Sequence, residues 1–327
     1  MPLPPRDHLL RALAPAAGIR LFAAVTTLAS RKARDGHRCA PTSAALLAQG
    51  LTAGALLASA LEKGYGAAAP HLEGKPPGGP HEPPSETTAA RVNLQVACDG
   101  PAGGLFIDAG TDGALRGYVK NPGVFFPSGP DEPLAPERAL GRKGYVSVLR
   151  DMGGGEIYRG MVELEACDLA IDLERYFQVS EQVETAVGLS VLPAGSEPLG
   201  QVAGVLAQRL PGGDASAVDE ARAILRSGGL DKALRDGRSG GGLFESLGLG
   251  GSALELLADL PLEFRCRCSR ERAIRAVLAM GLEEMRSLFA EIGEASLTCE
   301  FCGARYHVPG PELLELIRAA DQGSESA

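Results

Sequence analysis

Cys266-Arg267-Cys268-Ser269-Arg270-Glu271-Arg272 and Thr298-Cys299-Glu300-Phe301-Cys302-Gly303 are the two stretches that decide how this chain is organised. Thirty residues separate Cys268 from Cys299. Zinc takes four soft ligands in a tetrahedron, and four thiolates make a closed structural site. A CxxC turn presents two sulfurs to one ion, and Gly303 suits the tight geometry of such a knuckle. The CxC pair is tighter and supplies the other two. Cys266, Cys268, Cys299 and Cys302 are therefore the candidate ligands of one Zn2+. His307 lies five residues past Cys302 and is left out, because four sulfurs already satisfy the metal.

Between the pairs, Glu271 to Met280 and Leu282 to Glu291 read as two short helices broken at Gly281. That helical hairpin can return the chain so that the pairs meet. The domain carrying them is taken as residues 263–327, with a polar, frayed tail after Ala320. Structural zinc contributes about 10–16 kcal/mol of apparent binding energy, which in a small domain is folding energy. Large apolar side chains are few here, so the domain is expected to unfold without metal. Zinc-bound sulfurs are thiolates, the form that oxidants attack. Arg265, Arg267, Arg270 and Arg272 flank the first pair and favour the anion, or else they only solvate a helix start. Disulfide formation would remove all four ligands, so the constellation can act as a redox switch. A purely architectural zinc site fits the same residues.

Upstream, residues 212–262 read as a helical linker. Asp214 to Arg226 is amphipathic, with Val218, Ala221, Ile224 and Leu225 on one face. Gly228-Gly229 and Ser239 to Gly242 interrupt it, and Leu243 to Leu260 is apolar without a clean period. Such a segment needs a neighbour to cover it, and its glycines make order entropically costly. It is expected to be a metastable linker, or else an ordinary helical subdomain.

Residues 1–211 mix strand and helix signals. Ile19 to Ser30 is rich in β-branched residues, as a strand should be. Thr42 to Glu62 reads as a helix, opened by Pro41-Thr42-Ser43 and closed by Lys63-Gly64. Residues 67–88 hold six Pro and little apolar content beyond Ala, which reads as a disordered surface loop. Apolar side chains alternate in Arg91-Val92-Asn93-Leu94-Gln95-Val96, and strand patterns continue at Gly104 to Asp108, Ala114 to Val119, Tyr145 to Arg150 and Ile157 to Leu164. Asp112-Gly113 and Gly153-Gly154-Gly155 supply turns. Asp168 to Val179 reads as a helix, followed by strands at Thr185 to Leu192 and Gln201 to Leu210. Strands in runs, with helices set apart, give an α+β class: a mixed N-terminal core domain, a helical linker and a small C-terminal zinc-binding domain.

Charge and cysteine usage narrow the function. The chain of 327 residues carries a net charge of −9, and residues 263–310 hold seven Arg against seven Glu. Sequence-independent binding to a phosphate backbone needs clustered cations, so nucleic acid is not expected as a partner. Met1-Pro2-Leu3-Pro4-Pro5-Arg6-Asp7 lacks the apolar run of an export signal. The uncharged run Ala40 to Leu61 is about one third Ala and contains Gln49, Gly50 and Gly54, which reads as a buried helix rather than a membrane span. A cytoplasmic location follows. Cys39, Cys98 and Cys167 are scattered and read as small core or surface residues. No phosphate loop, nucleophile elbow or His-rich cluster is evident, so an enzyme is not expected. Cys299 and Cys302 lack the thioredoxin-like βαβ setting that a dithiol oxidoreductase uses.

Leu262-Glu263-Phe264-Arg265-Cys266-Arg267-Cys268-Ser269-Arg270-Glu271-Arg272 resembles the CxCSRER segment of the redox-regulated heat-shock protein 33 chaperones. Thr298 to Tyr306 is similar to that family's CxxC segment, and Gly281-Leu282-Glu283-Glu284-Met285 fits between them. In the first domain, Tyr158-Arg159-Gly160-Met161-Val162-Glu163-Leu164, Tyr176-Phe177 and Ser180-Glu181-Gln182 are similar to the family's core. The resemblance covers nearly the whole chain. It implies a cytoplasmic holdase that needs no ATP and is zinc-bound and inactive when reduced. Oxidation would form Cys266–Cys268 and Cys299–Cys302 disulfides, melt the linker and expose apolar surface to unfolding client proteins. Active members are homodimers. The resemblance names no client-binding residue, and a zinc-ribbon binding module without redox switching is the alternative.

Overall fold

The computed structural model describes residues 6–61, 89–127, 134–152, 156–249, 253–291 and 293–324. The Pro-rich segment expected to be disordered, at 67–88, and the turn at 153–155 lie outside the described residues. The chain forms two compact units, Met1–Arg265 and Cys266–Ala327.

The first unit is built on two sheets and a central helix. Strands β1 (His8–Ala14), β2 (Ile19–Val25), β8 (Thr185–Ala194), β9 (Glu197–Arg209) and β10 (Glu255–Pro261) form one antiparallel sheet in the order β10-β1-β2-β9-β8. Strands β3 (Arg91–Cys98), β4 (Gly104–Gly110), β5 (Ala114–Val119), β6 (Gly144–Asp151), β7 (Ile157–Glu163) and β11 (Glu263–Phe264) form the other, ordered β11-β5-β4-β3-β6-β7. The difference between them is written in their strands. In β3, Val92, Leu94 and Val96 are buried while the residues between them are half-buried, the alternation of a sheet covered on one face. In β2, five of seven residues are buried, with Leu21 and Phe22 on opposite faces, because that sheet is covered on both.

Helix α2 (Pro41–Ala60) packs against strands of both sheets. It is apolar around its whole circumference, so it must be buried on all sides. It is long and apolar enough to cross a bilayer, yet it is buried inside the fold, as expected from its sequence. Small residues set how closely the sheets approach it. A Cβ on Gly54 would lie 2.7 Å from Ile107 Cγ2, and one on Gly204 of β9 would lie 2.6 Å from Thr52 Cγ2.

On its other face the first sheet is covered by α4 (Ala215–Arg226), α5 (Gly229–Arg235) and a 3-10 helical stretch over Gly240–Leu247. Leu230, Leu234, Leu243, Phe244 and Leu247 pack onto Leu10, Ile19, Leu21, Ala203 and Val205 in one apolar cluster. The helical expectation for 212–262 holds over α4, α5 and the 3-10 stretch and fails at its C-terminal end. Residues 255–261 are strand β10, paired antiparallel with β1. The physical reason is the open edge of β1, whose unpaired main-chain groups β10 satisfies.

A second correction falls on Ile19 to Ser30. The strand stops at Val25, and Thr27–His37 is helix α1. The buried Asp7 carboxylate accepts the N–H groups of Leu28 (3.0 Å) and Ala29 (2.6 Å), capping α1 from twenty residues upstream. The helix expected over Asp168 to Val179 is α3 (Leu169–Tyr176), continued by a π-helical turn over Phe177–Glu181.

The second unit holds α6 (Arg270–Leu278), α7 (Leu282–Glu291), the hairpin β12 (Ala295–Thr298) and β13 (Arg305–Val308), and α8 (Gly310–Ser324). Both expected helices are present, and Gly281 between them adopts φ +96°, a conformation that favours glycine. The hairpin and α8 were not expected. They complete an apolar cluster of Val277, Met285, Ala295, Val308, Leu313 and Ile317.

Gly54→Val tests the packing of α2. Its branched side chain would collide with Ile107 and Ala109, and the variant should lose about 1–3 kcal/mol in urea unfolding.

Candidate metal centre

Cys266 and Cys268 lie on the short irregular segment that precedes α6, whose start is set by Ser269. The Ser269 hydroxyl accepts the Arg272 N–H at 3.2 Å. Cys299 and Cys302 occupy the turn between β12 and β13. There the Cys299 N–H donates to the Ala304 carbonyl and the Gly303 N–H to the Cys299 carbonyl, both at 2.8 Å. Gly303 adopts φ +72°, so a side chain there would strain the knuckle.

These local structures bring the four sulfurs together. All four Sγ atoms lie within 4.8 Å of one another, half-buried, with Cys266–Cys299 at 3.7 Å and Cys268–Cys302 at 3.3 Å. Four zinc–sulfur bonds of about 2.3 Å span a tetrahedron with edges near 3.8 Å, so the cluster has the dimensions of a zinc site. Both of these approaches run between the CxC and CxxC pairs, as a shared centre requires. His307 is exposed and lies 3.7 Å from Glu294, outside the cluster.

The electrostatics suit a cation. Burial pushes the Cys299 and Cys302 thiols up, and neighbouring sulfurs add to the rise. At Cys266 burial also opposes ionisation, but hydrogen bonds from the Cys268 N–H and the adjacent sulfurs outweigh it and hold this thiol below its ordinary range. Like charges this close cannot all form on their own. A divalent ion at the centre removes that conflict, which is why four crowded thiols bind zinc with release of protons.

The flanking arginines do not all serve the sulfurs. Arg265 pairs with Asp112 at 2.6 Å, and Arg270 makes a two-pronged bridge to Glu312 at 2.8 and 2.5 Å. A donor that the sequence reading missed does reach the cluster: the Tyr306 hydroxyl donates to Cys268 Sγ at 3.0 Å. Tyr306 follows the knuckle on β13, and only the hairpin register, with Tyr306 opposite Leu297, shows that it belongs to the site. Cys39, Cys98 and Cys167 stand apart. Burial raises all three thiols, Cys39 to about 12, so they are poor nucleophiles.

A family model described as Hsp33 protein matches residues 7–79 and 85–309. The chain belongs to the Hsp33 protein family. A "33 kDa chaperonin" of Gloeobacter violaceus is 33% identical over 317 residues, covering 95% of both chains. Another 33 kDa chaperonin, from a Cyanothece species, is 35% identical over 320 residues, covering 95% of this chain and 96% of its own. The crystal structure of a 33 kDa chaperonin, a heat shock protein 33 homolog from Thermotoga maritima, superposes with a TM-score of 0.80. At 21% identity it covers 97% of this chain and all of its own, so the two share a fold. The relatives of this chain are named chaperonins, and the chain is an Hsp33-family chaperone.

The metal reading has a direct test. Reduced protein should carry one zinc ion per chain by plasma mass spectrometry, as a closed four-sulfur site requires. Cys299→Ser should lose it, and acidification should release it, because protons compete for the thiolates.

Proposed function

We propose that this chain is a redox-regulated, ATP-independent holdase of the cytoplasm, zinc-bound and inactive when reduced. The observation that carries the reading is the convergence of four oxidisable sulfurs, from two distant stretches of chain, on one point within 4.8 Å. A bound Zn2+ at Cys266, Cys268, Cys299 and Cys302 supplies charge neutralisation and a tie between the two stretches. The site residues do the rest. One thiolate of a pair attacks a peroxide oxygen, the O–O bond breaks, and a sulfenic acid forms with release of hydroxide. The second thiolate then displaces hydroxide from sulfur to close the disulfide. Two sulfurs together lose two electrons, and with two protons the peroxide ends as two waters. We assign the pairs as Cys266–Cys268 and Cys299–Cys302, from the family resemblance. Four sulfurs in disulfides are no longer ligands.

The consequence runs through residues 212–262, which contain eleven glycines and are followed within a few residues by Cys266. Their helices and 3-10 stretch cover the apolar face formed by Leu10, Ile19, Leu21, Ala203 and Val205. If this cover is held only marginally, loss of the C-terminal fold melts it and exposes that face to unfolding clients. The active form is taken as a homodimer.

Two measurements test the proposal. Reduced protein treated with peroxide under mild heat should release zinc and gain the ability to suppress aggregation of a thermally unfolding client. Both changes should vanish when the four cysteines are replaced by Ser. Zinc binding with activity indifferent to oxidation would leave an architectural site. Phe244→Asp buries a carboxylate in the apolar cover, a cost of several kcal/mol that a marginal segment cannot meet. This variant should hold clients even when reduced, and no gain over the reduced parent would show that the cover does not mask the client surface.

A further inference from the structure

Each sulfur of the cluster has a hydrogen-bond donor, and the donors differ in kind. Cys266 takes the main-chain N–H of Cys268, Cys299 that of Phe301 and Cys302 that of Ala304. These are short-range contacts of the CxC segment and the knuckle, and they form wherever those turns form. Cys268 takes a side-chain hydroxyl, from Tyr306 at 3.0 Å, which is 38 residues away in sequence. The tyrosine is held by its strand. It lies on the half-buried side of β13 with Val308, whose side chain is fully buried in the unit's core, while Arg305 and His307 point to solvent.

We propose that Tyr306 is a positioning residue that restrains the reactivity of Cys268. An O–H directed at a thiolate lone pair stabilises the anion, and that stabilisation is lost as the sulfur forms a bond to an electrophile. The hydrogen bond thus slows reaction at Cys268 relative to the same sulfur without it. It also joins the CxC segment to the hairpin without using the metal. For the switch, the effect falls on the step in which Cys268 displaces hydroxide from an oxidised Cys266. Retarding that step keeps the first oxidation product open to reduction by a cellular thiol and raises the dose of peroxide that commits the protein. This inference rests on the proposed function only for that last consequence; the restraint on Cys268 is a property of the site itself.

The test is made on the zinc-loaded full chain, with Tyr306→Phe, which keeps the ring and removes the donor. Iodoacetamide is added for timed intervals. In the reaction each sulfur gains a carbon bond as iodide leaves, and peptide mass spectrometry quantifies every cysteine. Cys268 should react roughly three- to tenfold faster in the variant, the effect of one ordinary hydrogen bond, while Cys299 and Cys302 keep their parental rates. With cobalt(II) in place of zinc, the sulfur-to-metal charge-transfer band should move to lower energy, because the lone pair loses its stabilising partner. An unchanged Cys268 rate overturns the proposal. So does an equal acceleration at all four sulfurs, or a variant that no longer takes up cobalt, since either makes Tyr306 a structural prop. Neither readout depends on chaperone activity, so an oxidation-indifferent protein would refute the redox switch and leave this result standing.

Discussion

The double-sided burial of the sheet β10-β1-β2-β9-β8 is the constraint on which the rest of the first unit depends. A strand such as Ile19-Arg20-Leu21-Phe22-Ala23-Ala24-Val25 sends apolar side chains to both faces, and each face needs a cover. One cover is α2, which is apolar all round and so demands burial in turn, and it finds the second sheet on its far side. The other is the Gly-rich segment from α4 to the 3-10 stretch. The two covers are unequal. Helix α2 is locked by close contacts of Gly54 with Ile107 and of Thr52 with Gly204, whereas the second cover is short, interrupted and rich in a residue that loses much entropy on ordering. That asymmetry gives the proposed switch a place to act, because the Gly-rich cover packs over Leu10, Ile19, Leu21, Ala203 and Val205.

The second unit solves a different problem. It has an apolar cluster of its own, around Val277, Met285, Val308 and Leu313, and its two cysteine-bearing segments meet at the sulfurs and at the Tyr306–Cys268 hydrogen bond. The core explains why helices and hairpin can form; the sulfur cluster explains why the CxC segment stays beside the knuckle. Helix α8, not anticipated from the sequence, brings Leu313 and Ile317 to that core.

Much of this was legible in the sequence where the signal is local. The cysteine spacing named the four sulfurs that the fold brings together, and the alternation in β3 and its neighbours marked a one-sided sheet. Asp168, Asp214 and Ser269 each cap the helix that follows them, as their side chains favour. Errors arose where the partner is remote. Helix α1 was read through as strand because its cap is Asp7, and β10 was read as helix because an apolar run without period carries no information about an open edge elsewhere.

The sequence by itself determined the α+β class, the Hsp33 resemblance, the four cysteines that converge and the helices that carry their own caps. The tertiary structure alone decided what covers the first sheet, where β10 pairs, which glycines admit close packing and that Tyr306 reaches Cys268. The physical reason is range. Turn chemistry, capping and metal-ligand spacing are settled within a few residues. Edge pairing, close packing and a hydrogen bond across 38 residues exist only once the chain has been brought back on itself, and no short pattern records which of many possible returns is lowest in free energy.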